Sequence, residues 1–450
     1  MTDCKPRMSV AFRDQAPVEV RFDAPHISSD GGLLLLRQID DRLGLTARIA
    51  ACIPDERDPA KVEHPRHEQV QQRVFQILGG YEDCNDADSL RNDPMFKAVC
   101  GRDTNDGMGL SSQPTLSRFE NVMTGRSIRQ AVEVLEDDYV ARLAPDTQRV
   151  ILDVDSTDDP THGAQQLSFF HGYYDQHMYH PVLVFDGEGQ LVTARLRPGN
   201  AHGARGATSL LTGLIRRIKK RFPVCHILVR GDSAFSLPKI LDRLEQLDRE
   251  LGDVDYVIGI GKNDVLLRHA KQAMDFAAQL FADGVKHVRH FTSTTYAAKT
   301  WSEERHVVIK AEYTEQGANT RFVVTSLRYV EPRALYDVAY CGRGECENRI
   351  KDFKNALMAD RLSCSRFVPN FFRLILHTVA YRLMYELRLA AKTVGSELGS
   401  AQMDTLRLRL IKVAAQVTQS VRRILIRLPR SFPLTDLFAA IAGTLMPAPA

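Results

Sequence analysis

Hydrophobic positions along the chain follow two periods, and the change between them falls near residue 145. Before it, apolar residues recur at helical spacing. The stretches are Leu33 to Ile49 after Gly31-Gly32, Val70 to Leu78 before Gly79-Gly80, Pro114 through Phe119 after the turn-rich segment Asp103 to Ser112, and Ser127 to Leu143. From Val150 the chain alternates apolar and acidic residues up to Asp155, as a strand does. Pro181 to Phe185 and Leu191 to Leu196 predict two more strands, joined at the turn signal Asp186-Gly187-Glu188-Gly189. A helix is predicted over 207–222, a fourth strand from Ile227 to Gly231 ending at Asp232, a helix over 237–251 and a fifth strand from Tyr256 to Ile260.

Three meandering strands followed by crossover helices predict an α/β core in ribonuclease-H-like order, with the first and fourth strands side by side. Val288 to Phe291, His306 to Tyr313 and Arg321 to Leu327 then predict antiparallel strands, read as a β-rich insertion. A helix follows from Gly344 to about Met358, and two long ones over roughly Val368 to Leu389 and Met403 to Leu428. The expected organisation is a helical N-terminal region over 1–145, a ribonuclease-H-like mixed-sheet core over 146–263, the β-rich insertion over 264–335, the rest of the core over 336–395, and a basic helical region over 396–450.

With 450 residues, 44% of them hydrophobic, the chain can bury several cores. No apolar run approaches the ~18 residues that would suggest a membrane span. Met1 to Phe12 lacks the pattern of a secretory signal, so a cytoplasmic protein without membrane contact is expected. Eight cysteines (Cys4, Cys52, Cys84, Cys100, Cys225, Cys341, Cys346 and Cys364) form no C-x-x-C pair, which predicts reduced structural thiols. A net charge of +3 decides little, but its distribution is informative. Arg407, Arg409, Lys412, Arg422, Arg423, Arg427 and Arg430 face one acid, Asp404, and a second run spans Arg216 to Arg221. Both suit solvated helix faces and both suit a phosphate backbone.

Asp155 closes the first predicted strand and Asp232 the fourth, so adjacent strand ends would bring two carboxylates together. Asp153 competes with Asp155, because both point to one face. Ser156-Thr157 directly after Asp155 favours the latter, while Asp158 and Asp159 are expected beyond the sheet. Converging carboxylates are what two-metal phosphodiester cleavage needs, and Mg²⁺ accepts such oxygen ligands. A third acid is available on the late helix. At 100° per residue from Arg343, Glu347 falls at about 40°, Lys354 at about 20° and Tyr340 at about 60°. Cys346, Ile350, Phe353 and Leu357 form the neighbouring apolar stripe, and Glu345 points elsewhere. A surface salt-bridge stripe would share this spacing, since Arg343 and Glu347 are an i,i+4 pair.

Tyr340, Arg343, Glu347 and Lys354 fit the Y-x2-R-x3-E-x6-K signature, and the sequence thereby resembles the DDE transposases of bacterial insertion sequences of the IS-four-like clan. The segments LDVDSTDD, YYDQHMYHPVLVF, LRPGNAHGARGA, LVRGDSAFS and ENRIKDFKNAL resemble insertion-sequence family thirteen-eighty, over at least residues 150–390. The resemblance implies Asp155, Asp232 and Glu347 as catalytic and metal-binding residues, with Mg²⁺ as cofactor and Mn²⁺ as substitute. It implies that Tyr340, Arg343 and Lys354 contact DNA near the transposon end. The implied activity is cleavage and strand transfer at terminal inverted repeats, of cut-and-paste type, with double-stranded transposon-end and target DNA as partners and a dimer in the synaptic complex.

Trp301, the only tryptophan, is a candidate for stacking on a flipped base, as an insertion-domain aromatic does in related transposases; the competing reading is a core residue of a small β unit. His171, His177 and His180 match no zinc spacing. A helix from Pro114 through Arg118 is a candidate recognition element. Two other readings stay open: a non-catalytic DNA-binding regulator derived from a mobile element, and a related nuclease that cuts without joining.

Overall fold

The computed structural model describes residues 7–10, 16, 18–24, 26–105 and 107–446. The chain divides into two compact units, one of residues 52–54 and 120–382 and one of 1–51, 55–119 and 383–450.

The larger unit is built on one eight-stranded mixed sheet. Its elements are β1 (Arg149–Ser156), β2 (Val182–Asp186), β3 (Leu191–Arg195), α1 (Ala207–Arg221), β4 (His226–Gly231), α2 (Pro238–Leu251), β5 (Val254–Ile260), α3 (Asp264–Ala282), β6 (His287–Tyr296), β7 (Arg305–Thr314), β8 (Gly317–Thr325) and α4 (Gly344–Lys351). The spatial order is β6-β7-β8-β5-β4-β1-β2-β3. The first and fourth strands are parallel neighbours, and β5 lies parallel on the far side of β4. Every other pairing is antiparallel.

Strand alternation divides the sheet into two faces. Val150, Leu152 and Val154 of β1 join Ile227 and Val229 of β4 in the core beneath α1 and α2. Ile151 faces the other way, toward Leu228, Val257, Leu335 and Tyr336. Asp153 and Asp155 share parity with Ile151. They therefore lie on the face covered by the helical run that starts at Pro332 and continues through α4 to Ala356.

The stretch 264–335 differs from the expected insertion in two respects. It opens with α3, capped by the Asn263 side chain on the amides of Val265 and Leu266 and burying Leu266, Ala270, Ala273 and Ala277. Its three strands then pair through β8 onto β5, so they extend the core sheet. Their residues Val307, Ile309, Phe322 and Val324 belong to the same buried cluster as Val150. A separate three-stranded sheet (Asp159–Pro160, Phe169–His171, Gln176–Tyr179) lies between β1 and β2 in sequence, where the hydrophobic pattern predicts none.

In the second unit the helix expected from Leu33 to Ile49 breaks at Gly44, whose φ of 64° is left-handed. Gly31 and Gly32 permit close approach: a Cβ on Gly32 would stand 1.8 Å from the Leu410 carbonyl oxygen. The helix expected from Met403 to Leu428 is corrected. Helical turns stop at Ile411, and Ala415–Ser420 pairs with Arg423–Arg427 as a hairpin that also takes up Ile27–Ser28. Val417 is fully buried there, and Val417, Thr418, Ile424 and Ile426 are β-branched residues suited to strands. Among the described residues no disulfide joins any of the seven cysteines, and Cys4 lies outside them. Among the described residues no helix is long and apolar enough to cross a membrane.

Candidate active site

The parallel register pairs Gly231 of β4 with Val154 of β1, so the next residues, Asp232 and Asp155, stand at neighbouring strand ends. Asp155 accepts from the Ser156 amide (2.8 Å) and from Arg343 Nη1 (3.0 Å). Asp232 accepts from the Ala234 amide through Oδ1 (3.0 Å), which fixes its side chain at the start of a short helical turn. Burial pushes the Asp155 carboxyl up to about 6, with the charges of Asp232 and Glu347 adding to it and Arg343 opposing. Asp155 therefore feels both other acids of the expected triad.

The late helix meets this face with the stripe that its sequence predicts. Cys346, Phe353 and Leu357 are buried, while Glu347 is 61% exposed and lies 3.7 Å from Arg343 Nη2. Asp155, Glu347 and Lys354 line one cleft of about 370 Å³. The helix is not uniform. Its turns tighten over Cys341–Arg343 and widen over Asp352–Ala356, yet Lys354 still reaches the cleft. Tyr340 packs over β5 where a Cβ on Gly259 would fall 2.6 Å from its hydroxyl. Burial raises the Tyr340 phenol, with nearby Asp232 adding and Arg343 opposing. Burial would lower the Arg343 guanidinium, but Asp155, Tyr340 and Asp232 outweigh it.

Asp153 takes a different role. It makes a paired salt bridge with buried Arg230 (2.6 and 2.7 Å), and Arg230 also donates to the Ala339 carbonyl (3.0 Å). That bridge docks the turn preceding Tyr340 onto β4. Lys354 donates to Asp158 (2.7 Å) and lies 3.7 Å from Asp360, two acids that the sequence pattern did not single out. Asp158 was expected beyond the sheet, and nothing in its spacing announces a partner 196 residues away.

Trp301 is partly buried at the edge of the large core, edge-on to Tyr296 (5.3 Å) with the Arg305 guanidinium 5.0 Å over its ring. Arg305 is held by Glu245 and Asp242 of α2, so this tryptophan covers a buried guanidinium paired with two carboxylates. His171 and His180 pack against one another and Tyr174.

As a donor set, Asp155, Asp232 and Glu347 fit a hard divalent cation: all ligands are oxygens, and two come from paired strand ends. Among the described residues, no three Asp, Glu, His or Cys side chains converge on one ion as they stand. Arg343 engages Asp155, and Glu347, 61% exposed, lies 3.7 Å from the same guanidinium.

A comparison with curated proteins gives no match. Among solved structures, the chain is similar to a cryo-EM structure of a piggyBac transposase synaptic complex with hairpin DNA, at 11% identity and a TM-score of 0.41 over 84% of this chain and 79% of that one. The family described as "Transposase DDE domain group 1" matches residues 10–450. The chain belongs to that family of DDE transposases.

Proposed function

We propose that the protein binds the terminal inverted repeats of an insertion sequence and cuts and joins DNA there, by a DDE mechanism on a ribonuclease-H-like core. The observation that carries this reading is the clustering of Asp155, Asp232 and Glu347: two lie at paired strand ends, and the third lines the cleft of the first. The Y-R-E-K spacing on the covering helix, typical of insertion sequences of the IS-four-like clan, supports it further.

In this reading the three carboxylates hold Mg²⁺ or Mn²⁺, which when bound activates the attacking hydroxyl and stabilises the leaving oxygen. Arg343 now neutralises Asp155 and would transfer to a phosphate oxygen, for which its planar fork is suited. Lys354 would leave Asp158 for a second phosphate. Tyr340, seated on Gly259 beside Asp232, borders the strand path. The helical segment around Pro114 and Arg118, both exposed, is assigned to end recognition, and catalysis on two ends calls for a dimer on DNA.

The test mixes protein, Mg²⁺ or Mn²⁺, a DNA fragment carrying the flanking inverted repeats and a target plasmid. Joined product supports the proposal. Cleavage without joining makes the protein a nuclease, and binding alone makes it the regulator. Asp232→Ala is expected to retain end binding and lose cleavage by more than about 100-fold, beyond the cost of removing a supporting residue around a metal. Retained cutting removes Asp232 from the mechanism.

A further inference from the structure

The eight-stranded sheet has two edges, and the chain finishes them differently. At β3 the edge is closed: the buried Arg382 guanidinium donates to the carbonyls of Leu191 and Val192, and the Tyr381 hydroxyl donates to that of Gly189. At the other end stands β6, bound only to β7. Its residues pair with Arg305–Thr314 along the whole strand without a bulge. Among the described residues, no group outside that ladder bonds to the backbone of 287–296, the Thr294 hydroxyl on the Thr295 carbonyl aside. An edge strand directs the amide and carbonyl of every second residue away from its neighbour, so β6 offers an unused row of donors and acceptors.

The strand also lacks the devices that keep such edges apart. Open edges are commonly guarded by lysine, proline, a bulge or an inward-pointing charge. β6 reads HVRHFTSTTY, with no lysine, proline, glycine or acid. Its one permanent charge, Arg289, is matched within the chain: the guanidinium pairs with Asp337 and lies 5.1 Å over the Phe291 ring. Val288, Thr292, Thr294 and Thr295 are β-branched and Phe291 and Tyr296 aromatic, the types that suit a paired strand. His287, Arg289, Ser293 and Thr295 are exposed. On the other face Phe276 of α3, 50% exposed, stands 4.9 Å from the His290 ring and brings apolar surface to the same border.

The sequence of β6 fits a second copy of itself. Antiparallel pairing of an edge strand with its own copy needs a two-fold axis normal to the sheet, which keeps each side-chain face on its own side. Opposed residues then share parity, so the axis passes through a residue. An axis at Phe291 sets that ring beside its copy, Arg289 opposite Ser293, His290 opposite Thr292, Val288 opposite Thr294 and His287 opposite Thr295. No two like charges meet, and an aromatic pair occupies the centre. An axis at His290 would set histidine against histidine, and one at Thr292 would set Phe291 against Ser293 and lose the aromatic pair. We propose that two copies of this chain join through β6 in the absence of DNA, antiparallel about Phe291, into one continuous sheet. The dimer required for catalysis on two ends is a DNA-bound one. This one needs neither DNA nor cutting, so its test is separate from that of the DNA-cutting reading.

The test is sedimentation velocity of the full chain without DNA over a concentration series. Ser293 is the probe, because it is exposed and faces Arg289 across the axis. Ser293→Arg sets guanidinium against guanidinium twice in each dimer and should raise the dissociation constant about tenfold. Ser293→Glu sets two opposite-charge pairs there and should lower it about threefold. Within one chain the two positions lie about 13 Å apart along the strand, so neither change touches Arg289 in the monomer. Hydrogen exchange of the β6 amides in the unaltered protein should slow as the dimer forms. A protein that stays monomeric up to about 100 µM overturns the proposal. So does a dimer whose dissociation constant the two variants leave unchanged or move in the same direction, or one whose formation leaves β6 exchange unaltered, because its interface then lies elsewhere.

Discussion

Asp153 and Asp155 lie two positions apart on one face of one strand, and their surroundings separate them. Asp153 neutralises a guanidinium buried with it, both side chains being at most 6% exposed. Asp155 is buried beside two further acids, and its carboxyl is pushed up to about 6. Removing one member of a buried pair leaves the other charge uncompensated, at a cost of about 3–5 kcal/mol. Asp153→Ala should therefore lower the unfolding midpoint markedly and also loosen the turn at Ala339. Asp155→Ala removes a charge that burial disfavours but leaves Arg343 with only Glu347 nearby (3.7 Å), so it should lower the midpoint less than Asp153→Ala. Urea unfolding of the two variants checks this, and the reverse order would make Asp153 the reactive acid. Strand parity alone puts both residues on the face that the late helical run covers. It did not choose between them, because the deciding partner, Arg230, is 77 residues away and its pairing depends on the β1–β4 register.

The hairpin β2–β3 shows what an element adds to its residues. Asp186 accepts from the amides of Glu188 (3.0 Å) and Gln190 (2.8 Å), while Gly189 takes a φ of 85°. Burial raises the Asp186 carboxyl to about 6 despite these amides. Its folded-state value lies above the ordinary 3.8, so between about pH 4 and 6 the folded state binds more protons than the unfolded state. Stability from this group is present at low pH and is lost as pH rises through that window. Asp186→Asn keeps an acceptor for the turn without the charge. It should raise the thermal midpoint at pH 7.5, by the equivalent of about 1–2 kcal/mol, and make no difference at about pH 4. Thermal melts at the two pH values test this, and equal shifts at both would refute it. Such turns were legible because their residue types are local, as were the strand ends carrying Asp155 and Asp232. The C-terminal hairpin was not. Leu406, Leu410, Val413 and Val417 recur at helical spacing, and only pairing with Ile27–Ser28, far away in the chain, selects strands after Ile411. Asp158 and Asp360 were illegible for the same reason: they acquire meaning only when Lys354 arrives.

Across the whole chain, a net charge of +3 conceals two basic groups with different fates. In the larger unit three arginines of the run on α1 have partners within the chain. Arg216 pairs with Glu250, Arg217 with Asp137, and Arg221 donates to the Val140 carbonyl. In the smaller unit Arg407 is likewise bound to the Leu78 carbonyl and Lys412 to Asp30, but Arg422, Arg423, Arg427 and Arg430 are exposed on and beside the C-terminal hairpin. Charge serving a phosphate backbone must be solvent-facing in the free protein, because its contribution comes from releasing counterions from DNA. The hairpin meets that requirement; on α1, Arg216, Lys220 and Arg221 also face solvent, but Arg216, Arg217 and Arg221 are already engaged by Glu250, Asp137 and the Val140 carbonyl. Replacing the four hairpin arginines with glutamine should weaken end binding and lower the slope of log K against log salt by about 0.9 for each phosphate that is no longer neutralised. Replacing Arg216, Arg217 and Arg221 should lower stability and leave the slope alone. Binding titrations across a salt series separate the outcomes: an unchanged slope in the hairpin variant would mean that its arginines do not touch DNA, and the positive surface would have to be sought along Arg205, Lys351 and the cleft itself.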